Sequence, residues 1–429
     1  MQWLPRNDGV RSLLRPRTVA ERNVRNVLID GVGVGIVAGV GSFLPIFLAR
    51  LGSSNLLIGL LTALPALTGA ILAVAVGRFL EGQRNVVRWY AGLRVWVLWS
   101  YALFGLLPFV MPLTLVPWAV IVIWAIVTVP GTIVNVAFTV VMGGVAGPNN
   151  RFAVMSLRWS SLGVVTALTV ALVGQILDRI AFPLNYQLVF IGSFVGGLLS
   201  FFFSRSISLP DQVPPTGTPP GRPGFARWAS ALTTVVRTAP PTFLRFAASA
   251  FVFRCGTAMA VPLLPLYWVR TVGASDAWIG IITTANSGVL LVAYTIWALV
   301  TKRFGVGNVL LASSFGLALY PLAAASTTSV VLLTLFAGLS GFCTAGNDLV
   351  NFDLVLSSIP ADRQAGYVGF YQTLQNTALF IMPLVGTVLA DNLGISAGLV
   401  AAGLLRLGGV GLYLALGVGR VPTGAAKAP

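Results

Sequence analysis

Apolar runs long enough to cross a lipid bilayer recur along almost the whole chain. Hydrophobic residues make up 56% of its 429 residues, and charged residues make up only 9%. A spanning helix needs about 20 residues, and within hydrocarbon every backbone group must be hydrogen-bonded inside the segment. The sequence therefore predicts an all-α polytopic membrane protein with about twelve transmembrane helices. We place them at 26–49, 56–77, 86–109, 115–141, 151–177, 185–204, 243–269, 277–300, 306–325, 330–357, 364–390 and 396–418.

Basic residues separate to one side of this predicted membrane. The chain has 27 Lys and Arg against 11 Asp and Glu, a formal net charge of +16. If the predicted helices alternate sides, Arg50, Arg179 and Arg270 fall on one side, and the other loop and tail Arg and Lys residues fall on the opposite side. Positively charged loops stay in the cytoplasm, so we predict a multi-pass protein of the cell membrane with both termini cytoplasmic. The lipid bilayer, rather than nucleic acid, then accounts for the basic balance.

The two halves of the chain repeat each other. Asn135 and Asn347 are 212 positions apart, as are Pro148 and Pro360. Six predicted helices return each copy to its starting side, so the repeats are parallel and pseudo-symmetric. The stretch LPDQVPPTGTPPGRPG between them is too rich in proline and glycine to continue a helix. We predict a basic tail at 1–25, six-helix bundles at 26–206 and 243–418, a cytoplasmic linker at 207–242 and a cytoplasmic tail at 419–429.

This organisation resembles the major facilitator superfamily of secondary transporters over about residues 20–420. One loop adds to the resemblance. The family carries glycine, an acid and basic residues between its second and third helices, and GRFLEGQRN supplies Gly77, Glu81 and Arg84 there. The resemblance implies that the first helix of each three-helix group lines a central cavity. It also implies that Glu81 pairs with basic loop residues as part of a cytoplasmic gate.

Two opposite charges fall near the predicted membrane midplane. At ~1.5 Å per residue, Asp348 lies about 14 Å and Arg254 about 16 Å from the cytoplasmic ends of their helices. A charge at that depth is costly and marks a candidate functional site. We predict that Arg254, Asn347, Asp348 and Asn351 bind the solute, with Asn135 as the repeat partner of Asn347. The alternative is a structural Arg–Asp pair, with the asparagines bonding neighbouring helices.

Other ionisable residues in the spans are candidates of lower rank. Asp348 is the first candidate for proton coupling. Asp30, about one turn into the predicted first helix, is either a second such acid or an interfacial residue stabilised by Arg25. Arg94 and Arg158 lie a few turns from the cytoplasmic face, and we expect them to extend towards it.

The stretch GVGVGIVAGVG is rich in glycine, as nucleotide-binding loops are. That motif requires a preceding strand, whereas these glycines fall inside an apolar run. Gly31, Gly35 and Gly39 recur every fourth residue, so they predict one face of a helix that packs closely against a neighbour.

Taken together, the sequence predicts a secondary active transporter, not an enzyme, that moves a small solute by alternating access coupled to protons. We expect no cofactor or metal, no nucleic acid partner, and a monomer. The chain has no histidine, which excludes histidine-ligated metal chemistry. Two alternatives stay open: a polytopic membrane enzyme, and a receptor or assembly factor on the same scaffold that transports nothing.

Overall fold

The computed structural model describes residues 16–81, 83–210, 237, 239–358 and 364–418, and these form long helices joined by short loops. Eleven spans among them are long and apolar enough to cross a membrane, and Asp276–Phe304 is a twelfth if its two halves, bent by 40°, count as one. The predicted linker 207–242 and tail 1–25 lie largely outside the described residues, and the tail 419–429 lies wholly outside them. The helices are α1 (Val19–Gly41), α2 (Leu44–Arg50), α3 (Asn55–Glu81), α4 (Val86–Val110), α5 (Val116–Arg179), α6 (Leu184–Arg205), α7 (Pro241–Leu266), α8 (Asp276–Phe304), α9 (Val306–Ala325), α10 (Val330–Ser357), α11 (Gln364–Leu393) and α12 (Ile395–Ala415).

The first span begins earlier than the apolar pattern predicts. Thr18 caps α1, because its Oγ1 accepts a hydrogen bond from the Glu21 backbone N–H at 3.1 Å. Such a cap satisfies one of the otherwise unpaired N–H groups of a helix start. The helix therefore extends seven residues beyond the predicted start at 26, through a polar segment that hydropathy alone assigns to the tail.

Two predicted spans lie on one continuous helix. We predicted 115–141 and 151–177 as separate helices, but α5 runs for 64 residues, Val116–Arg179. Its two apolar stretches, Val116–Ala146 and Leu157–Arg179, match the two predictions. The prediction of a break between them is wrong: backbone hydrogen bonding is local and does not require an apolar environment, so helix continues through the polar connection.

The seventh span ends in an altered helical turn. Pro262 and Pro265 lie inside α7, and a π-helical segment, Tyr267–Thr271, follows directly. Proline removes a backbone donor and disturbs the turn before it. In transmembrane helices, local π-helical turns can satisfy backbone groups that a proline leaves unpaired.

The described residues fall into two compact units. The first comprises the described residues within 1–216 and 274–284, and the second comprises those within 217–273 and 285–429. Inside the first, α1 packs on α5 and α6, and α4 packs on α6 and α5. Inside the second, α7 packs on α11 and α12, and α9 packs on α12 and α10. The same pattern of neighbours therefore occurs in both units, as the sequence repeat leads one to expect.

The first residues of α8 belong to the first unit through a polar cluster. Asp276 accepts hydrogen bonds from Arg50 Nη2 at 3.0 Å and from Tyr186 Oη at 2.8 Å. Arg50 Nη2 also donates to the Ala274 carbonyl at 2.7 Å. An acid in the first turn is favourable for the helix dipole, so the cluster positions the start of α8 on α2 and α6.

Glycines set the closest helix approaches in the first unit. A Cβ added to Gly35 would lie 2.9 Å from the Leu162 carbonyl, and one on Gly39 would lie 2.7 Å from Thr169 Cβ. One on Gly31 would lie 3.3 Å from Arg158 Cγ. The predicted packing face is confirmed, and its partner is the second half of α5.

Candidate functional site

Asp348 lies on α10 in the second unit with its side chain exposed. It accepts a hydrogen bond from Tyr294 Oη on α8 at 3.3 Å. Tyr294 is itself 40% exposed. A carboxylate with one weak hydroxyl donor has free acceptor positions, so Asp348 can bind a proton, a cation or a hydrogen-bond donor without first breaking an ion pair.

Arg254 lies on α7 of the same unit and is partly buried. Arg254 and Asp348 form no ion pair within 4.0 Å; the ion pairs among the described residues are Arg50–Asp276, Arg94–Asp30 and Arg158–Asp30. A direct ion pair between Arg254 and Asp348 is therefore not formed, and binding of a solute by the two residues stays a prediction.

The asparagines of the GNDLVNFD stretch do not share the environment of Asp348. Asn347 is buried, and its Nδ2 donates to Ser314 Oγ on α9 at 2.7 Å. Asn351 Nδ2 donates to the Asn347 side-chain oxygen at 2.7 Å. Asn347 therefore bonds α10 to α9, as in the structural alternative, whereas these bonds of Asn351 stay within α10. A solute-binding role of either asparagine stays a prediction. Helical spacing places Asn347, Asp348 and Asn351 near one face of α10. The packing of neighbouring helices then buries Asn347 and leaves Asp348 exposed.

The remaining predicted site residues lie elsewhere. Asn135 on α5 is exposed and belongs to the first unit. Arg84 is exposed next to the α4 cap, where the Asn85 side chain accepts from the Arg88 backbone N–H at 3.1 Å. Gly77 lies in α3, but its surroundings and the Glu81 side chain are outside the described part of the chain, so the predicted gate pairing stays a prediction.

Asp30 is the centre of a buried ionic cluster in the first unit. Its side chain is fully buried, and Arg94 Nη2 and Arg158 Nη2 each lie 3.2 Å from Oδ2. Ser200 Oγ donates to Oδ1 at 2.6 Å, and Tyr90 Oη donates to Oδ2 at 3.2 Å. A buried carboxylate with three hydrogen-bond donors and a further arginine at ion-pair distance has the partners that burial of a charge requires.

This cluster corrects two expectations. Arg94 and Arg158 do not extend to the membrane surface, because both are buried and both contact Asp30. Asp30 is not one turn into its helix but eleven residues in, about 16 Å from Val19, and its ionic partners are these two arginines and not Arg25. The signal for the cluster was present in the sequence, since charges at membrane depth need partners, but the pairing required the tertiary structure.

Arg406 on α12 is buried where α12 meets α9 and α7. It is 6% exposed, and its Nη1 donates to the Leu317 carbonyl on α9 at 2.6 Å. Its stem lies against α7, because a Cβ added to Gly256 would come 2.8 Å from Arg406 Cγ. Arg406 Nε is buried and has no hydrogen-bond partner among the described residues.

The chain matches one family model over part of its length. Residues 246–429 match the model described as Major Facilitator Superfamily. A search of curated protein sequences finds no match. The predicted resemblance to this superfamily is therefore confirmed by a sequence match that covers the second half of the chain.

Solved structures of transporters share the whole fold. A POT family transporter in complex with a thioalcohol-conjugated peptide superposes with a TM-score of 0.72 at 10% identity, over 92% of this chain and 96% of that one. A bacterial homologue of the human lysosomal transporter Spinster gives 0.70 at 13%, over 95% and 99%. The xylose transporter XylE from E. coli gives 0.66 at 13%, over 95% and 97%. At these identities the likeness concerns the fold, and with the family match it supports a membrane transporter.

Proposed function

This chain has the fold of the major facilitator superfamily and matches that family's model over residues 246–429, and on this premise we propose that it is a secondary active transporter. It moves a small solute across the cell membrane by alternating access, and the movement is coupled to protons. The predicted six-helix bundles at 26–206 and 243–418 are the moving parts of this proposal.

One observation carries the proposal: a carboxylate and a guanidinium lie far from the helix ends without neutralising each other. Asp348 is nine residues before the end of α10, and Arg254 is thirteen residues into α7. A structural pair at this depth gains its stability from direct contact, yet no ion pair joins these two residues. Charges kept apart at membrane depth are suited to a ligand that contacts both.

Asp348 is the proposed proton-coupling residue. A coupling acid must exchange protons with water in at least one state, and Asp348 is exposed with a single hydroxyl donor. At Asp30, by contrast, a proton would have to disturb a buried cluster of three hydrogen-bond donors and two ion-paired arginines. The geometry therefore favours Asp348 over Asp30 for this role.

Proton movement in reconstituted liposomes tests the proposal. Liposomes that contain the protein and an internal pH dye are exposed to pools of amino acids, dipeptides, nucleosides, sugars and organic acids. We expect at least one pool to change the internal pH with the wild type, and Asp348→Asn to abolish that change. Asp353→Asn, an exposed acid on the same helix, is the matched control and should behave as the wild type.

Two results would contradict parts of the proposal. Solute-dependent proton movement that survives Asp348→Asn would remove Asp348 from the coupling mechanism, and Asp30→Asn in the same assay then tests the second candidate. Solute uptake with no proton movement in the wild type would leave a transporter without proton coupling.

A further inference from the structure

Two arginines of the second unit lie inside the membrane spans without an ion-pair partner in the part of the chain that the structure describes. Arg254 on α7 and Arg406 on α12 belong to helices that pack on each other. Arg406 lies against Gly256, two residues after Arg254, so two like charges lie close together on these packed helices, and like charges repel. The acid near them, Asp348, makes no ion pair with either arginine.

The hydrogen bonds of these arginines do not remove the excess charge. Arg406 donates to the Leu317 carbonyl, which is a neutral group. The Nε atoms of both Arg254 and Arg406 are buried and have no hydrogen-bond partner among the described residues. A buried donor without a partner is costly, and more so when it is charged.

The first unit shows how this chain pairs two buried arginines. There, one carboxylate, that of Asp30, lies 3.2 Å from both Arg94 and Arg158. Within the described residues of the second unit, no carboxylate takes an equivalent position between Arg254 and Arg406. The described residues of the second unit therefore lack the shared carboxylate that pairs the two arginines of the first unit.

We propose that the transported solute carries a carboxylate or phosphate group, and that Arg254 binds this group with Arg406 adding positive potential behind it. The inference rests on the proposed transport function and specifies its substrate class. Arg254 is the partly exposed member of the pair, so it is the residue that touches the anion. A guanidinium presents paired donors that match carboxylate and phosphate oxygens. A cationic solute would instead add to the existing repulsion.

Matched anionic and neutral probes test this assignment. The thermal unfolding of the full chain in non-ionic detergent is measured with glutarate and glutaramide, and with glucose 6-phosphate and glucose. We expect at least one anion to raise the unfolding temperature of the wild type and its neutral counterpart to leave it unchanged. Arg254→Gln should need at least a tenfold higher anion concentration for the same rise in unfolding temperature. Arg254→Lys should need a smaller increase, because it keeps the positive charge.

A second arginine on α7 provides the control. Arg245 is exposed near the start of the same helix, so Arg245→Gln should respond to the anions as the wild type does. If Arg254→Gln does not fold, Arg254→Lys replaces it, and a weakened response with an unchanged unfolding temperature in buffer is the expected result. The same unfolding measurement is then made in liposomes of phosphatidylcholine alone and in liposomes that also contain phosphatidylglycerol. Stabilisation by a soluble anion should occur in both, whereas stabilisation by a lipid phosphate should occur only with phosphatidylglycerol.

Several outcomes would overturn the assignment. A wild type that responds to none of the anions, or equally to neutral and anionic members of a pair, contradicts it. Proton-coupled uptake of a neutral or cationic solute that is unchanged in Arg254→Gln also contradicts it, but leaves the transporter proposal intact. A response that appears only with phosphatidylglycerol assigns Arg254 to lipid and not to solute.

Discussion

At the scale of single residues, two aspartates in the spans illustrate opposite ways of placing a charge in a membrane protein. Asp30 is fully buried with two arginines at 3.2 Å. Asp348 is exposed and has one hydroxyl donor at 3.3 Å. Burial is tolerable where opposite charges and donors complete the shell. The first arrangement is suited to holding helices together, and the second is suited to exchange with a ligand.

Replacing Asp30 should test the structural role of the first arrangement. Asp30→Asn keeps the shape but leaves two buried guanidinium groups without their counter-ion, so we expect a loss of about 3–5 kcal/mol in the free energy of unfolding. Thermal unfolding in detergent measures the loss. Asp353→Asn, at an exposed position, should change it by less than about 0.5 kcal/mol.

A double variant makes this prediction sharper. Adding Arg158→Met to Asp30→Asn removes one of the two uncompensated charges, so the pair should be less destabilising than the sum of the two single changes. An Asp30→Asn protein as stable as the wild type would contradict the role of the cluster, as would strictly additive effects.

At the scale of helices, close packing depends on glycine at chosen positions. A Cβ on Gly33 would lie 2.6 Å from the Gly196 carbonyl and 2.6 Å from the Ser200 backbone nitrogen on α6. Gly163, on α5, has no other atom within 4 Å of the corresponding point. Without a hydrophobic driving force between helices in lipid, such close approach is an important source of attraction.

These two glycines should respond oppositely to alanine. Gly33→Ala pushes α1 from α6 and should cost about 1–3 kcal/mol. Gly163→Ala enters open space and removes the penalty of glycine in a helix, so it should stabilise by up to about 1 kcal/mol. Unfolding in detergent and the monodisperse fraction after extraction measure both changes. Equal effects of the two substitutions would show that the α1–α6 approach is not tight.

The start of α8 offers a second test at this scale. Arg50 and Asp276 are 3.0 Å apart, with Asp276 nearly buried and Arg50 partly exposed. Because the pair is only partly shielded from solvent, we expect a coupling energy of about 1 kcal/mol in a double-mutant cycle with Arg50→Gln and Asp276→Asn. Tyr186→Phe should weaken the same cluster, since Tyr186 Oη also donates to Asp276 at 2.8 Å. A coupling energy of zero would show that the contact between Arg50 and Asp276 does not stabilise the start of α8.

At the scale of the whole molecule, the distribution of basic residues predicts the orientation in the membrane. The predicted cytoplasmic side carries nearly all loop arginines and lysines, and such loops resist translocation. Green fluorescent protein fused after Pro429 should therefore fluoresce in a bacterial host, and alkaline phosphatase fused there should be inactive. Alkaline phosphatase fused after Met111, between α4 and α5, should be active. Activity at both sites, or at neither, would contradict the predicted topology.

Much of the fold could be predicted from the sequence because membrane insertion depends on local properties. The apolar runs at 306–325 and 330–357 coincide with α9 and α10. The glycine periodicity of α1 identified a packing face because a helix places every fourth residue on one side. The ends of helices were predicted less well. Hydropathy does not detect the Thr18 cap, which makes α1 start earlier, and α5 continues through a polar segment between two apolar runs.

The sequence by itself determined a duplicated, all-helical membrane chain and the short set of charges that lie within its spans, since hydropathy and spacing act along the chain. Only the tertiary structure decided which of those charges are neutralised. Asp30 meets Arg94 and Arg158 because α1, α4 and α5 come together, while Arg254, Arg406 and Asp348 form no ion pair with any described residue. The physical reason is that an ion pair requires a distance of about 3–4 Å between side chains that can be far apart in sequence. Local sequence patterns do not show which helices will become neighbours.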